Sequence, residues 1–526
     1  MKTPAITPAV RKGFFRRLIS WRGVLFLLAA FVTLVALLLA EENWRGARAW
    51  QNYKREMEGK GESFDAARLI PPKVPDDQNF GMTPLFAPIF NLPPGDPGLP
   101  LKSVTNVVHG ESYGSYAAAN RGTNLALPLL FGLNVNHPPH PLGWNYGMAA
   151  DLPAWAAAIE GANPASPLGK VTDPVQAASI VLDNMKNFEP TLMELQSDTE
   201  RRYCRFNIAH DQWGKPEAFQ VSMEHFVLIK WLFWALNLHA EAEMVSGHTD
   251  QALNDINVMF RIDDGLKDEP LLMSQLVRLA CVEIMLQPVG EGLAEHRWSE
   301  AQLRVLQERL QKTDLIASIV QAWYGERDIV TNPTFDRGNL NPHGWDAMPR
   351  GWVRLEQLNF NVAFHDTVLP RIDLAARVIN PSVNHCIDLA FNRFSDGNWF
   401  HLVVIQHSIF AKMWLPAVSS HVPQKTAFAQ SEVDMAMLAC ALERCRLAEG
   451  QYPEELNALV PRFVAVLPHD IINGQPLKYR LTDNGRFILY SVGWNEKDDG
   501  GVVATNKEKR QDILQGDWVW QYPDGN

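Results

Sequence analysis

The sequence predicts a mainly α protein, with a single amino-terminal transmembrane helix, a helical body carrying long Pro/Gly-rich loops, and a small carboxy-terminal α+β module. Three observations carry this. Val24 to Ala40 reads VLFLLAAFVTLVALLLA, an uncharged run whose only polar side chain is Thr33. From about residue 173, apolar residues recur at helical spacing through several long stretches. Near the end, Leu477, Tyr479 and Leu481 alternate with Lys478, Arg480 and Thr482, which is the period of a half-buried strand. The chain has 526 residues, enough for two to four domains at the usual ~100–200 residues each. Its 46% apolar and 20% charged content excludes wholesale disorder and a many-span membrane protein.

The apolar run divides the charge. Residues 1–23 hold Lys2, Arg11, Lys12, Arg16, Arg17 and Arg22 and no acid, so the net charge of −11 becomes −17 beyond the run. A basic tip on an acidic body argues against a nucleic-acid partner. At 1.5 Å per residue, residues 24–40 span about 26 Å, the short end for a bilayer-crossing helix. Trp21 and Trp44 bracket the run, as interfacial aromatics do, and Glu41 and Glu42 follow it. The positive-inside rule places residues 1–23 in the cytoplasm and the remainder in the periplasm, with the anchor in a bacterial inner membrane. A cleaved signal peptide is the rival reading. The run is longer than the usual ~7–15 apolar residues, and Leu38 occupies the place where a small residue would precede cleavage after Ala40.

Residues 41–172 begin with a polar helix from Glu41 to about Glu58. The stretch Pro71 to Pro153 is then too rich in Pro, Gly and Asn for long helices. It still holds Phe80, Leu85, Phe86, Ile89, Phe90 and Trp144, so it reads as extended chain draped over a body. Residues 173–423 form the helical body. Asp173-Pro174 is a start signal, an N-cap before Pro, for a helix reaching about Arg202. Further helices are expected near 217–246, 250–262, 269–287, 299–312 and 314–324. A second Gly/Asn/Pro-rich loop covers 326–350, and helices resume to about 420. Phe226–Leu238 and Trp399–Leu415 are apolar nearly all round, but both are interrupted by polar or charged side chains and read as buried helices. Glu241 with Glu243, and Asp263 with Asp264, read as solvated charge and capping at helix surfaces. The five cysteines are an odd number without CxxC, and Cys440 and Cys445 lie too far apart on one helix to pair.

Within 236–262, Ala240, Gly247 and Ala252 are spaced so that two antiparallel helices approach closely, and the pair resembles a tetratricopeptide repeat. A shift of 34 residues puts Cys281 and Leu286 under Gly247 and Ala252, so no array is visible and an ordinary helical hairpin stands beside that reading.

Residues 424–526 open with a helix from about Lys425 to Ala448, with Met435, Leu438, Leu442 and Cys445 on one face. Gly450 stops it and Pro453 restarts a short helix through Leu459. Asn484-Gly485 makes a hairpin turn between two strands, and Trp518 to Trp520 supplies a third. The run Gly450, Tyr452, Pro453, Leu456, Leu459, Val460, Pro461, then Asp470, Gly474, Pro476, Leu477, Tyr479, then Tyr490, Ser491 and Gly493, resembles the head of the major (protein G-like) pseudopilin of type II secretion. That resemblance implies a calcium ion in the loop after the strand, with Asn495, Asp498, Asp499 and Asp512 as its ligands. Hard oxygen donors in a Gly-containing loop suit Ca²⁺. Asn495 departs from the family's usual Asp, and the loop is longer. A pseudopilin fuses its membrane helix directly to the head, with a Glu at the fifth mature position. Here Gly13-Phe14 is present, but that position is Leu18, so a filament subunit is not expected. More broadly, ENWRG, PPKVPDDQNF, EPLLMSQLVRLA and DDGG resemble a family of single-pass, membrane-anchored bacterial proteins, which imports no activity.

No GxxxxGK[ST] or HExxH occurs. His137 with His140, His343 with Asp346 near Asp336, and His365-Asp366 are the local pairs of catalytic type. The expected function is a periplasmic scaffold or interaction protein, membrane-anchored through 24–40, with protein partners in the cell envelope such as the secretion machinery. The alternative is a periplasmic hydrolase with its active site where loops 100–150 and 326–350 meet the helical body, using His343, Asp346 and His137.

Overall fold

A computed structural model describes residues 21–87, 148–161, 171–206, 208, 225–337, 348–394, 401–507, 511–520 and 522. The protein is mostly helical, with a small antiparallel sheet. Its first element, α1, runs unbroken from Trp21 to Gly59. The apolar run and the following polar helix are therefore one rod. Its apolar part is exposed throughout, whereas Gly46, Trp50 and Met57 are buried. It is long and apolar enough to cross a membrane; Leu272–Ala294 passes the same test but is mostly buried within the body.

After α1 the chain lies extended with short turns. Phe80, Leu85 and Phe86 are buried, and Phe80 N–H donates to the Tyr203 carbonyl at 2.8 Å. This is the draped segment expected for residues 71–87. Most of the Pro-rich stretch, 88–147, lies outside the described residues. The body then comprises α2 (Leu152–Gly161), α3 (Pro174–Met185), α4 (Glu189–Asp198), α5 (His225–Val245), α6 (Thr249–Leu266), α7 (Leu272–Ala294), α8 (Glu300–Gln311) and α9 (Leu315–Gly325). Asp173 caps α3, accepting from Gln176 N–H at 3.0 Å with Pro174 in the first turn. The single helix expected to reach Arg202 is instead two. Phe188 turns inward to full burial, and Pro190 restarts the chain as α4. The α5–α6 hairpin is present, with Ala240 and Ala252 fully buried and Gly247 at φ +87° between the helices.

The loop expected at 326–350 also begins later than its composition suggested. A π-helical turn, Glu326–Thr331, and α10, Asn332–Arg337, continue directly from α9. Ile329, Val330 and Phe335 are buried there, so packing extends the helix up to the Gly338-Asn339 breakers. Then follow α11 (Arg350–Thr367), α12 (Pro381–Phe394), a second π-helical turn (His401–Gln406), α13 (Ile409–Ser419) and α14 (Val422–Glu449). The segment Trp399–Leu415 is thus not one buried helix: it breaks at His407-Ser408, and Ile405 and Met413 are exposed.

Helix α14 is buried on nearly all sides rather than on one face. Ala427, Ala429, Ala436, Ala439 and Ala441 keep it slim, so α7, α8 and α9 all pack against it. Gly450, at φ +79°, ends it. Beyond it, β1 (Lys478–Leu481), β2 (Phe487–Ser491) and β5 (Trp518–Val519) form an antiparallel sheet in the order β1-β2-β5, while β3 (Val503–Thr505) pairs with β4 (Gln511–Gly516). Phe428 of α14 meets Trp518 edge-on at 5.3 Å, and one apolar core runs from Phe80 to Trp520. The helix that opens the carboxy-terminal segment is therefore also the central post of the body.

Candidate functional site

The most constructed feature outside the core is the joint between α1 and the body. Helix α11 lies along α1, and the two run parallel: Gly351 meets Glu42–Gly46, and the Tyr53 hydroxyl reaches the Asn361 carbonyl at 3.2 Å. The crossing depends on glycine. A Cβ on Gly46 would lie 2.2 Å from the Gly351 carbonyl oxygen, and one on Gly351 would lie 2.1 Å from that of Glu42. With neither present, the backbones touch, and Gly351 N–H donates to Asn43 Oδ1 at 2.6 Å. Beyond the crossing Trp50 stacks on Tyr53, and Phe64 meets both rings edge-on.

The chain after α1 is clamped by Arg327, which has no exposed surface. Its guanidinium pairs with Asp328 at 2.8 Å and Glu62 at 2.7 Å and donates to the Ser63 carbonyl at 2.9 Å. Its faces meet Phe64, Tyr324 and Phe364 at 4.5, 5.0 and 5.4 Å. Alongside it, Asn332, Gln357 and Asn361 form a buried amide network. The π-helical turn is what brings Arg327 and Asp328 to face the same cluster. This joint fixes the apolar rod to the body at two places about four helical turns apart along the chain.

The body also buries carboxyls that the sequence reads as surface charge. Glu241 is fully buried, and its carboxyl faces that of Glu291, which accepts from Ala150 N–H at 2.8 Å and from Gln287. Burial, then the neighbouring Glu291 carboxyl, raises Glu241; burial also raises Glu291, against the lowering effect of its hydrogen bonds with Gln287, Glu241 and Ala150. Asp263 is buried against Arg278, at 2.7 and 2.9 Å. The expectation of solvated charge therefore fails for Glu241 and Asp263; the packing of α5, α6 and α7 encloses them. Burial, with Glu283 adjacent, pushes Glu432 up to about 8. Burial pushes Glu326 and Glu356 to about 7, although each accepts backbone N–H groups, Glu326 from Leu272 and Glu356 from Ile409 and Phe410. Asp255 is buried beneath His239, 2.7 Å from Nδ1.

In the carboxy-terminal loop, Asn495 Nδ2 donates to Asp499 Oδ2 at 2.9 Å. Asp498 accepts from the Tyr490 hydroxyl at 2.9 Å and lies 3.2 Å from Lys478 Nζ. Asp512 accepts from Leu514 N–H at 3.0 Å. Asp517, which the sequence did not suggest, is buried and accepts from the Asp499 and Gly501 N–H groups, so it shapes the loop from beneath. Among the described residues, no group of three or more His, Cys, Asp or Glu is placed to hold a metal ion. His137, His140, His343 and Asp346 lie outside the described residues, as does the Asp336 side chain. His365 and Asp366 are exposed neighbours, 3.1 Å apart.

Comparison with protein-family models, curated proteins and solved structures finds no match.

Proposed function

We propose that this chain is a single-pass scaffold or interaction protein of the bacterial inner membrane, with residues 1–23 cytoplasmic and the body periplasmic. One observation carries the reading: a single unbroken helix has an exposed apolar half and a polar half locked into the body at the glycine crossing and the Arg327 clamp. The charge split across the run supports the orientation. A body built this way holds a fixed stance on the membrane and presents its carboxy-terminal module, which resembles a pseudopilin head, to protein partners of the envelope. The test has two arms. Protease added outside spheroplasts should digest the body but spare an epitope before residue 24. Crosslinking in native membranes should trap an envelope protein reproducibly, and recovery of the chain alone would sink the scaffold reading.

The calcium reading belongs to the same proposal. Asn495, Asp498, Asp499 and Asp512 supply hard oxygens around a Gly-containing loop, and Asp517 orders its backbone. A ligand that binds only the native state must raise stability. A thermal melt of the full chain should therefore shift upward with millimolar Ca²⁺ relative to chelator. Equal midpoints would remove the site.

A further inference from the structure

We propose that the start of α11 and the turn His401–Gln406 form a membrane-contacting face that rests in the lipid headgroup layer. The inference rests on α1 spanning the bilayer, as proposed above, and adds what the body does there. The apolar run ends at Ala40, so residues 42–46 lie about 3–9 Å beyond it along the helix. That is the depth of the headgroup layer, about 5–8 Å on each side of the hydrocarbon. The Gly351 backbone touches Glu42 and Gly46, so the start of α11 lies at this depth. Because α11 runs parallel to α1, away from the bilayer, the residues preceding Gly351 lie on its membrane side.

Those residues carry an apolar cluster of their own. Met348 packs with Leu402 and Ile409 in a small group that it links to the main core. The turn bearing Leu402 also bears Ile405, which is 61% exposed. The end of the turn is tied to α11 by Asn359, whose amide donates to the His407 carbonyl at 2.9 Å, and by Trp352, whose ring lies 5.3 Å from that of His407. On α1 at the same level, Trp44 is 61% exposed, with Arg48 over its ring at 5.3 Å. Exposed Arg350 opens α11. Tryptophan, arginine and exposed aliphatic side chains are those that favour an interface between hydrocarbon and water. The occupant is the bilayer surface, since the anchor that ends beside these residues delivers them to it.

The test uses the full chain in vesicles of phosphatidylethanolamine and phosphatidylglycerol. A Cys386→Ser background removes the one exposed thiol. Single cysteines are then placed by Ile405→Cys, by Leu28→Cys within the apolar run, and by Val466→Cys, a 76% exposed position in the carboxy-terminal segment. Each carries an environment-sensitive dye, quenched from the lipid by a shallow spin-labelled phospholipid and from the water by iodide. The dye at 405 should be quenched by the lipid at least twofold more than that at 466, and by iodide less. If 405 behaves like 466 while 28 is lipid-quenched, the anchor stands and the membrane-contacting face is refuted. If 28 is not lipid-quenched either, the anchor reading fails and takes this inference with it.

Discussion

Replacing Gly351 with Ala tests whether the apolar rod and the body are one mechanical unit. The added Cβ would lie 2.1 Å from the Glu42 carbonyl oxygen and 2.6 Å from Asn43 N. Both are backbone atoms of a helix, which cannot swing aside as a side chain can. Ordinary contact needs about 3.4 Å, so the helices must part by roughly 1 Å or more. Overpacking of this kind costs about 1–3 kcal/mol. Parting also weakens the Gly351–Asn43 hydrogen bond, worth about 1 kcal/mol. An expected loss of about 2 kcal/mol corresponds to roughly thirtyfold in the equilibrium for opening the joint. The assay is hydrogen exchange on the full chain in detergent, followed over residues 46–57 and 353–364, with amides of α14 as the internal reference. Gly46→Ala meets the Gly351 carbonyl at 2.2 Å and should act alike. The two changes strain one contact, so their combination should cost less than the sum of the singles. Gly59→Ala has no neighbour within 4 Å and should leave protection equal or slightly improved. Protection at the joint unchanged within threefold in both single variants would refute the close-packed crossing, as would additivity in the double variant.

Other consequences follow from the buried charges. Glu432 favours its protonated form in the fold, with a pKa raised from 4.5 to about 8. The native state therefore binds more protons than the unfolded one, and this stabilisation, full below about 4.5, is lost as pH rises to about 8. Glu432→Gln should remove that dependence, stabilising the protein by up to about 4 kcal/mol at pH 8.5 and little at pH 4.5, read from urea midpoints. Arg327→Met strands Asp328 in the interior and should cost about 3–5 kcal/mol in urea unfolding, with part recovered by adding Asp328→Asn. Glu356→Ala deletes the acceptor for the Ile409 and Phe410 N–H groups, a cap that Ser408 does not supply. It should cost about 1–2 kcal/mol, and Glu356→Gln less, by the same measurement.

Helices whose sequence carries its own stop and start signals were legible. Asp173-Pro174 and the Gly450 terminus were placed within a residue or two, and the alternation at 477–492 located the sheet. Signals that depend on distant chain were not. The Phe188–Pro190 break needed a pocket for Phe188, which appears only once α3 and α4 fold back on the body. The segment 326–337 was obscured by Asn332-Pro333 within it and by the breakers from Gly338 onward. Glu241 and Asp263 look like any helical acids, and their burial is decided by neighbours on α7. Gly46 and Gly351 each read as a weak point in a helix. Only their contact across three hundred residues gives them a role. At the carboxy-terminal loop, the residues named through the resemblance lie on the rim, whereas Asp517, a lone acid between Gly516 and Trp518, organises the backbone from below.

The joint and the buried acids constrain each other. A flexible tether would let the body tumble above the membrane, and no face of it would be selected for the lipid or for a partner. The glycine crossing and the Arg327 clamp remove that freedom at two points, so the orientation of α11 becomes the orientation of the body. Helix α11 passes this on through Glu356, which fixes the start of α13, and through Asn359 and Trp352, which fix the turn carrying Ile405. Helix α13 in turn contacts α14, the post shared by body and sheet. A stance set at residues 42–46 is thereby carried through packed helices to the carboxy-terminal loop. If the chain is the scaffold proposed above, loosening Gly351 should disturb partner capture by a module it does not touch, whereas Gly59→Ala should not. Measuring crosslink yield in native membranes for these two variants separates a positioned scaffold from a merely tethered one.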